Sequence, residues 1–279
     1  LSIVKYGNRH PDKFGNENKG QIKRVYTLDE SNIFNNPEHY EMEIEVNNAK
    51  IGPGTKYDTP ESILESLRKV TKIVLSGLQG TNYPISYLEQ KTVIDTYMKL
   101  IWKDEYETNK HVSSKKFIGP NSITLQMLNI AKVDENSNEP NIRKGFVVTE
   151  KADGQRHLMY ISNEGKIYLI NTNMDVLFTG AKTNNKECFN SLLDGELISH
   201  DKKGKFINLY AAFDIYFLKK QDIRMFTFML LDTEDDVYKS RYQLLKYFEK
   251  TIDLVSVLDT KSQEQKKEKS LKDMLSLYK

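Results

Sequence analysis

Hydrophobic residues along this 279-residue chain recur with two different periods, which predicts a mixture of helices and strands. Apolar residues at helical spacing predict a helix that begins at 60 and ends at 77–80, and further helices over 85–102 and 240–252. Thr59 and Pro60 are typical of a helix start, and Gly77 and Gly80 are typical of its end. Helical segments therefore dominate the middle of the chain and recur near its end.

The segments between these helices contain short apolar and β-branched runs, which predict strands. These runs lie at 145–149, 157–161, 167–170, 175–178, 191–198, 209–217 and 225–231. The turn at 163–166 joins two of them as a hairpin. Residues 103–116 are polar and predict a linker, and the lysine-rich residues 259–279 predict a solvated helix.

Residues 40–46 alternate strictly between polar and apolar positions. A strand with this period places Glu41, Glu43 and Glu45 on one face. Three neighbouring carboxylates repel each other unless water or a cation lies among them. The pattern therefore fits either the solvent face of a surface strand or a site for a hard cation such as Mg²⁺ or Mn²⁺.

The segment 150–156 has the sequence Glu-Lys-Ala-Asp-Gly-Gln-Arg and lies between two predicted strands. Lys151 can act as an amine nucleophile once its proton is removed. Gly154 allows close approach of the backbone to a ligand, and Arg156 offers a planar fork of donors. Taken alone, the segment could also be a surface hairpin whose charges are solvated.

Two further carboxylates interrupt apolar runs. Glu196 follows Gly195 and precedes two apolar residues, and Asp214 is the one acid within 209–217. A buried carboxylate needs a cation or hydrogen-bond donors to remain charged. Glu196 could instead lie exposed at a strand end, but the apolar residues after it favour a functional or specifically paired acid.

Composition restricts the class of protein. The chain has 41 Lys and Arg against 39 Asp and Glu, a net charge of +2, so any nucleic-acid surface must be local. Cys188 is the only cysteine, which excludes an internal disulfide and predicts a small buried apolar residue. No apolar run approaches the length of a membrane span, and we expect no membrane partner.

The segment 151–156, Lys-x-Asp-Gly-x-Arg, resembles motif I of the covalent nucleotidyltransferases, the superfamily of polynucleotide ligases and mRNA capping guanylyltransferases. Asp-Gly-Glu at 194–196 and Phe-Asp at 213–214 resemble two later motifs in the same order. The resemblance implies that Lys151 attacks the α-phosphate of GTP or ATP and carries the nucleotide as a phosphoramide. It also implies a nucleotide site that comprises Glu150, Asp153, Gly154, Arg156, Glu196 and Asp214, with Glu196 also holding a divalent metal.

The acidic pattern at 41–45 resembles the C-terminal metal motif of tunnel-type RNA triphosphatases, and residues 1–5 are similar to the strand before that motif. This resemblance covers about the first 50 residues. It implies a closed antiparallel barrel in which Glu41, Glu43 and Glu45 bind Mg²⁺ or Mn²⁺, with Glu45 making direct contact.

Together the two resemblances imply part of a viral mRNA capping enzyme, like those of large cytoplasmic DNA viruses. The expected fold is α+β: the C-terminal part of a tunnel barrel with helices over 1–105, a linker over 106–116, and the first part of an antiparallel-sheet nucleotidyltransferase over 117–279. Expected partners are GTP, RNA with a 5′-triphosphate or diphosphate end, and a cap methyltransferase domain in the same polypeptide. The expected location is the host cytoplasm, in viral factories, or the virion.

Two alternatives remain open at this stage: an ATP-dependent polynucleotide ligase, and a non-catalytic scaffold that binds RNA or a methyltransferase. The scaffold is favoured by Asn171-Thr172, which replaces the Asp-Arg pair usual in capping enzymes. The later acidic-Gly and Lys-x-Lys motifs are absent from convincing strands, and the first residue is Leu1. We therefore expect the chain to begin inside a longer polypeptide and to be inactive alone.

Overall fold

The computed structural model describes residues 2–10, 21–107, 112–230 and 240–257, together with the backbone of Leu275–Leu277. The chain divides into two compact units, Leu1–Arg68 and Lys69–Lys279. No helix within the described ranges is both long and apolar enough to span a bilayer. Short 3₁₀ turns occur at Asn48–Lys50, Lys103–Glu105, Ser114–Lys116 and Lys186–Cys188.

The first unit contains a two-stranded antiparallel sheet of β1 (Ser2–Lys5) and β2 (Glu38–Glu41), with the short helix α1 (Leu28–Ser31) between them. The strand predicted over 40–46 is wrong beyond Glu41, because the chain leaves the sheet there and residues 42–47 are irregular. Side chains 41–46 are all exposed, so the alternation does not separate a buried face from an open one. A tunnel barrel is not found in the described part of this unit.

Two long helices confirm the helical pattern. Helix α2 (Pro60–Gln79) begins after Thr59, whose hydroxyl accepts the Ser62 amide hydrogen bond at 3.3 Å. Helix α3 (Tyr87–Trp102) is capped by the hydroxyl of Ser86. The division between the compact units falls within α2, whereas the sequence-based boundary lay at 106–116.

The second unit is built on one sheet. Its strands are β3 (Gln155–Ile161), β4 (Lys166–Asn171), β5 (Val176–Lys182), β6 (Ser191–His200), β7 (Phe206–Leu218), β8 (Gln221–Asp222), β9 (Val255–Ser256) and β10 (Leu275–Leu277). Their order is β10-β7-β6-β3-β4-β5-β9, with β8 also paired to β7. All pairings are antiparallel except that of β10 with β7. Besides α3, the unit contains one short helix, α4 (Met127–Ile130), and one longer helix, α5 (Arg241–Thr251).

Both faces of this sheet are covered, which explains its nearly continuous apolar strands. In β3, Leu158 and Tyr160 belong to the cluster that includes α3, whereas Met159 and Ile161 belong to the cluster that includes α5. Cys188 is fully buried in the α5 cluster, as predicted, and burial raises the pKa of its thiol to about 12. The result is a mixed α+β unit with an antiparallel sheet between two helical layers.

Three predicted elements differ from the structure. Residues 145–149 form no strand, and the Val148 side chain is fully exposed. Residues 225–230 form turns and irregular chain, because the hairpin of β7 with β8 ends at Asp222. The helix predicted over 259–279 lies mostly outside the described residues, and its described part, Leu275–Leu277, is the strand β10.

Candidate active site

The lysine motif lies at the entry to β3, on irregular chain that becomes a strand at Gln155. Ala152 is buried, whereas the side chains of Glu150, Lys151 and Asp153 are exposed. The Lys151 Nζ donates to the carbonyl of its neighbour Ala152 at 3.3 Å. One buried residue thus anchors the segment while the amine reaches the surface.

The lysine motif and the Asp-Gly-Glu motif are in direct contact. The Gly154 amide donates to Oε2 of Glu196 at 2.9 Å, across 42 residues of sequence. A Cβ at Gly154 would lie 2.8 Å from the Leu197 carbonyl oxygen, closer than real Cβ atoms approach. Only glycine therefore permits this approach to β6, and the expected approach of the Gly154 backbone to a ligand stays a prediction.

Arg156 is held by a buried carboxylate. Its Nε and Nη2 donate to the two oxygens of Asp194 at 3.1 and 2.5 Å, and Asp194 has no exposed side-chain surface. The Tyr216 hydroxyl donates to the same carboxylate at 2.6 Å. The hydrogen bond to Asp194 is the main cause that raises the pKa of Arg156, so the guanidinium is fixed and charged.

A further hydrogen bond from Nη1 and two contacts with aromatic rings also hold the Arg156 guanidinium. Nη1 donates to the Pro120 carbonyl at 2.6 Å, and the guanidinium carbon lies 5.5 and 5.9 Å from the ring centres of Phe117 and Phe213. A Cβ at Gly119 would lie 2.5 Å from Arg156 Nη2. Segment 117–120 therefore packs against the arginine of the lysine motif.

Asp214 has a partner that the sequence did not reveal. Arg241, the first residue of α5, donates from Nε and Nη2 to its carboxylate at 2.8 and 3.0 Å. Arg241 also donates from Nη1 to the Phe226 carbonyl at 2.5 Å. In this structure Asp214 therefore ties β7 to α5, which is the specifically paired state that the sequence analysis allowed.

A cavity of about 450 Å³ opens beside these residues, a volume typical of a small-molecule site. Its walls combine aromatic and apolar side chains with one ion pair. They include the exposed chain at 145–149 and the residues Phe213, Asp214, Tyr216, Phe228, Arg241 and Tyr242. Aromatic faces beside a fixed cation and carboxylate suit a planar heteroaromatic ligand such as a nucleobase.

No group of three His, Cys, Asp or Glu side chains suitable for a metal ion occurs in the described part of the chain. Glu196 offers one carboxylate, with Oε2 already bound to Gly154. Mg²⁺ commonly uses one or two protein carboxylates together with water and substrate phosphates, so Glu196 fits such a site. Glu41 accepts a hydrogen bond from Tyr6 and lies in the first unit with Glu43 and Glu45.

Three side chains of this site were not singled out from the sequence: Asp194, Tyr216 and Arg241. Asp194 belongs to the same tripeptide as Glu196, and Tyr216 lies two residues after Asp214 on the same strand. The apolar residues around Asp194 and Tyr216 could have indicated their roles, because a polar group within a buried strand needs a hydrogen-bond partner. Nothing in the local pattern around Arg241 indicates its pairing with β7.

Comparison with known proteins supports the second unit as a catalytic domain. The family model described as "mRNA capping enzyme, catalytic domain" matches residues 87–274. This range begins at the first residue of α3 and contains Lys151, Glu196 and Asp214. The family match therefore includes α3, which packs on the sheet.

A curated relative gives the same indication. A "Probable mRNA-capping enzyme" of Acanthamoeba polyphaga mimivirus is 29% identical over 191 residues, which is 67% of this chain and 13% of the relative. The chain thus corresponds to a small part of that protein, and the match supports a viral capping enzyme. By the extent of the family match, the chain belongs to the mRNA capping enzyme catalytic-domain family.

Proposed function

We propose that the second unit is an mRNA guanylyltransferase that uses Lys151 as its nucleophile. The observation that carries this proposal is the 2.9 Å hydrogen bond between Gly154 and Glu196, because it brings the exposed lysine segment to the Asp-Gly-Glu strand. Membership of the capping family favours GTP over ATP, and thus a guanylyltransferase over a ligase.

In the proposed reaction the neutral Lys151 amine attacks the α-phosphorus of GTP. A nitrogen–phosphorus bond forms, the nitrogen releases one proton to solvent, the bond from the α-phosphorus to the bridging oxygen of the β-phosphate breaks, and pyrophosphate leaves. In the second step an oxygen of the terminal phosphate of a diphosphate-ended RNA forms a bond to the same phosphorus. The nitrogen–phosphorus bond breaks, and the Lys151 nitrogen takes up a proton and becomes an amine again. Arg156, which Asp194 fixes, would hold the ribose, and the aromatic cavity would hold the guanine.

A divalent cation, Mg²⁺ or Mn²⁺, would neutralise the phosphates when it is bound. Glu196 would hold it through the carboxylate oxygen that Gly154 leaves open. Glu150 and Asp153 are exposed on the same segment as Lys151, and we assign them to the nucleotide surroundings. Asp214 would act by fixing the cavity wall through Arg241.

The proposal is tested by incubating the protein at its natural length with labelled GTP and a divalent cation, then denaturing it. Glu196→Gln should reduce labelling by roughly 10²–10³-fold, because one aimed charged group contributes about that factor. Glu187→Gln, at an exposed surface pair with Lys219, is the matched control and should label normally. Labelling by ATP in preference to GTP would favour the ligase alternative.

We also propose RNA 5′-triphosphatase activity for the amino-terminal part, with Glu41, Glu43 and Glu45 as its metal-binding carboxylates. The three acids within five residues support it. The RNA partner, a methyltransferase domain in the same polypeptide, and location in viral factories or the virion are proposals that follow from the viral capping relative.

A further inference from the structure

The turn between β6 and β7 concentrates positive charge and an exposed aromatic ring. Residues 200–206, which we name the hairpin tip, contain three lysines and one aspartate. The tip therefore carries as much net positive charge as the whole chain, with its histidine counted as neutral. Lys202, Lys203 and Lys205 are all exposed.

The backbone of the hairpin tip is fixed by its one acid. Oδ1 of Asp201 accepts the amides of Lys203 and Lys205 at 2.8 and 2.9 Å, and the Gly204 amide donates to the Asp201 carbonyl at 2.9 Å. The Asp201 carboxylate is thus engaged with the backbone. In the described part of the chain, no ion pair joins the three lysines to an acid.

An aromatic pair lies at the base of the tip. His200 and Phe206 are cross-strand partners whose rings lie 5.5 Å apart in an edge arrangement. Phe206 is 65% exposed, although it is a large apolar residue. It also lines a second cavity, of about 240 Å³, together with Ser199 and Asn208. Exposed aromatic rings beside lysines are the usual means of binding single-stranded nucleic acid.

The hairpin tip lies at the same end of the sheet as the lysine motif, which leads into the first residue of β3. The last pair between β3 and β6 is Gln155 with Leu197, whereas β6 continues to His200. Three further residues extend about 10 Å at the rise of a strand. The tip thus lies beyond the last β3–β6 pair, at the end of the sheet where the chain from Lys151 enters β3, and a polymer whose end reacts at Lys151 could reach it.

From these contacts we propose that the hairpin tip binds the single-stranded RNA that accepts GMP, with its lysines on phosphates and a base stacked on Phe206. The proposal rests on the proposed function for the identity of the polymer as RNA. The charge complementarity and the aromatic ring favour nucleic acid over an acidic protein.

The test is fluorescence anisotropy of the 279-residue chain with a short labelled single-stranded RNA at several salt concentrations. The triple change Lys202→Gln, Lys203→Gln and Lys205→Gln should weaken binding at least tenfold. It should also reduce the slope of log affinity against log salt by up to about 2, at about 0.7 for each phosphate contact. Phe206→Leu should weaken binding at least about fivefold with the slope unchanged.

The matched control replaces three exposed lysines elsewhere in the same unit, Lys91, Lys99 and Lys115, by glutamine. This control should bind as the unaltered chain does. Equal losses in both triple variants, an unchanged slope in the tip variant, or equal displacement of RNA by polyglutamate would overturn the proposal. Unaltered melting temperatures verify that the variants fold.

GMP labelling of the same variants at natural length separates this inference from the proposed function. The tip lies outside the nucleotide site, so the tip variant should form the GMP adduct normally. If the protein forms no adduct but binds RNA through the tip, the proposed function fails and the tip assignment stands. If it forms the adduct and RNA binding ignores the tip, only the tip assignment fails.

Discussion

The buried pair between Asp194 and Arg156 offers a direct test of what stabilises the catalytic unit. Asp194→Asn retains the size of the side chain and removes its charge. Both oxygens of Asp194 accept hydrogen bonds from Arg156 or Tyr216. In the variant an amide NH₂ group, itself a donor, would face the N–H or O–H groups of these two residues. The change therefore leaves the Arg156 charge without its partner.

The expected loss follows from burial. Breaking a buried pair by removing one partner destabilises a protein by about 3–5 kcal/mol. The side chain of Arg156 retains 25% of its exposure, so water solvates it in part. We therefore expect Asp194→Asn to lower the free energy of unfolding by about 3 kcal/mol.

Trp102 makes the measurement specific to this unit. It is the only tryptophan, lies at the end of α3, and packs against the α3-side core. Urea unfolding followed by its fluorescence therefore reports on the second unit. A parallel transition in far-ultraviolet circular dichroism verifies that the helices and sheet unfold together.

Two other arginine–aspartate forks provide matched controls. Asp214, which pairs with Arg241, has 14% side-chain exposure, and Asp222, which pairs with Arg224, has 34%. Asp222→Asn should lower the free energy of unfolding by less than about 1 kcal/mol, because its ion pair is solvated. The loss for Asp214→Asn should lie between those for Asp222→Asn and Asp194→Asn. Equal losses for Asp194→Asn and Asp222→Asn would refute the argument from burial.

Three further predictions follow from single residues. Burial lowers the pKa of His157 in the folded chain below its usual 6.5. The His157 contribution to the free energy of unfolding is therefore fully present above pH 6.5 and is lost as the pH falls through the lower folded pKa. His157→Gln should flatten this decline, measured by urea unfolding at several pH values. Gly195→Ala should lose about 1–3 kcal/mol in the same assay, because its Cβ would lie 2.6 Å from the Ala211 carbonyl oxygen. Glu45→Ala should abolish release of the RNA γ-phosphate and leave GMP transfer to diphosphate RNA intact, measured with doubly labelled RNA.

The helices and strands that were predicted correctly are those whose own sequences contain helix-start residues or apolar runs bounded by turns. Helices α2 and α3 have hydroxyl residues at their starts, and strands β3 to β7 have apolar runs separated by turns. The error at 145–149 has a physical cause: a β-branched run forms a strand only where a partner strand is available. Val148 finds none among the described residues and remains exposed.

The pairings within the candidate site were less accessible to sequence reasoning. Gly154 and Glu196 were singled out separately, but their contact depends on the register of β3 with β6. Arg241 lies 27 residues from Asp214 and begins a helix, and no local pattern links the two residues. Periodicity similarly showed that α3 has an apolar face but not that this face packs on the sheet.

The central claim is that Lys151 carries GMP. The most direct measurement incubates the protein at its natural length with α-labelled GTP and a divalent cation, denatures it, and maps the label to a peptide. We expect an acid-labile label on the peptide that contains Lys151, and no label in Lys151→Arg, which keeps the charge but removes the amine. A Lys151→Arg protein that labels as well as the unaltered protein would contradict the account.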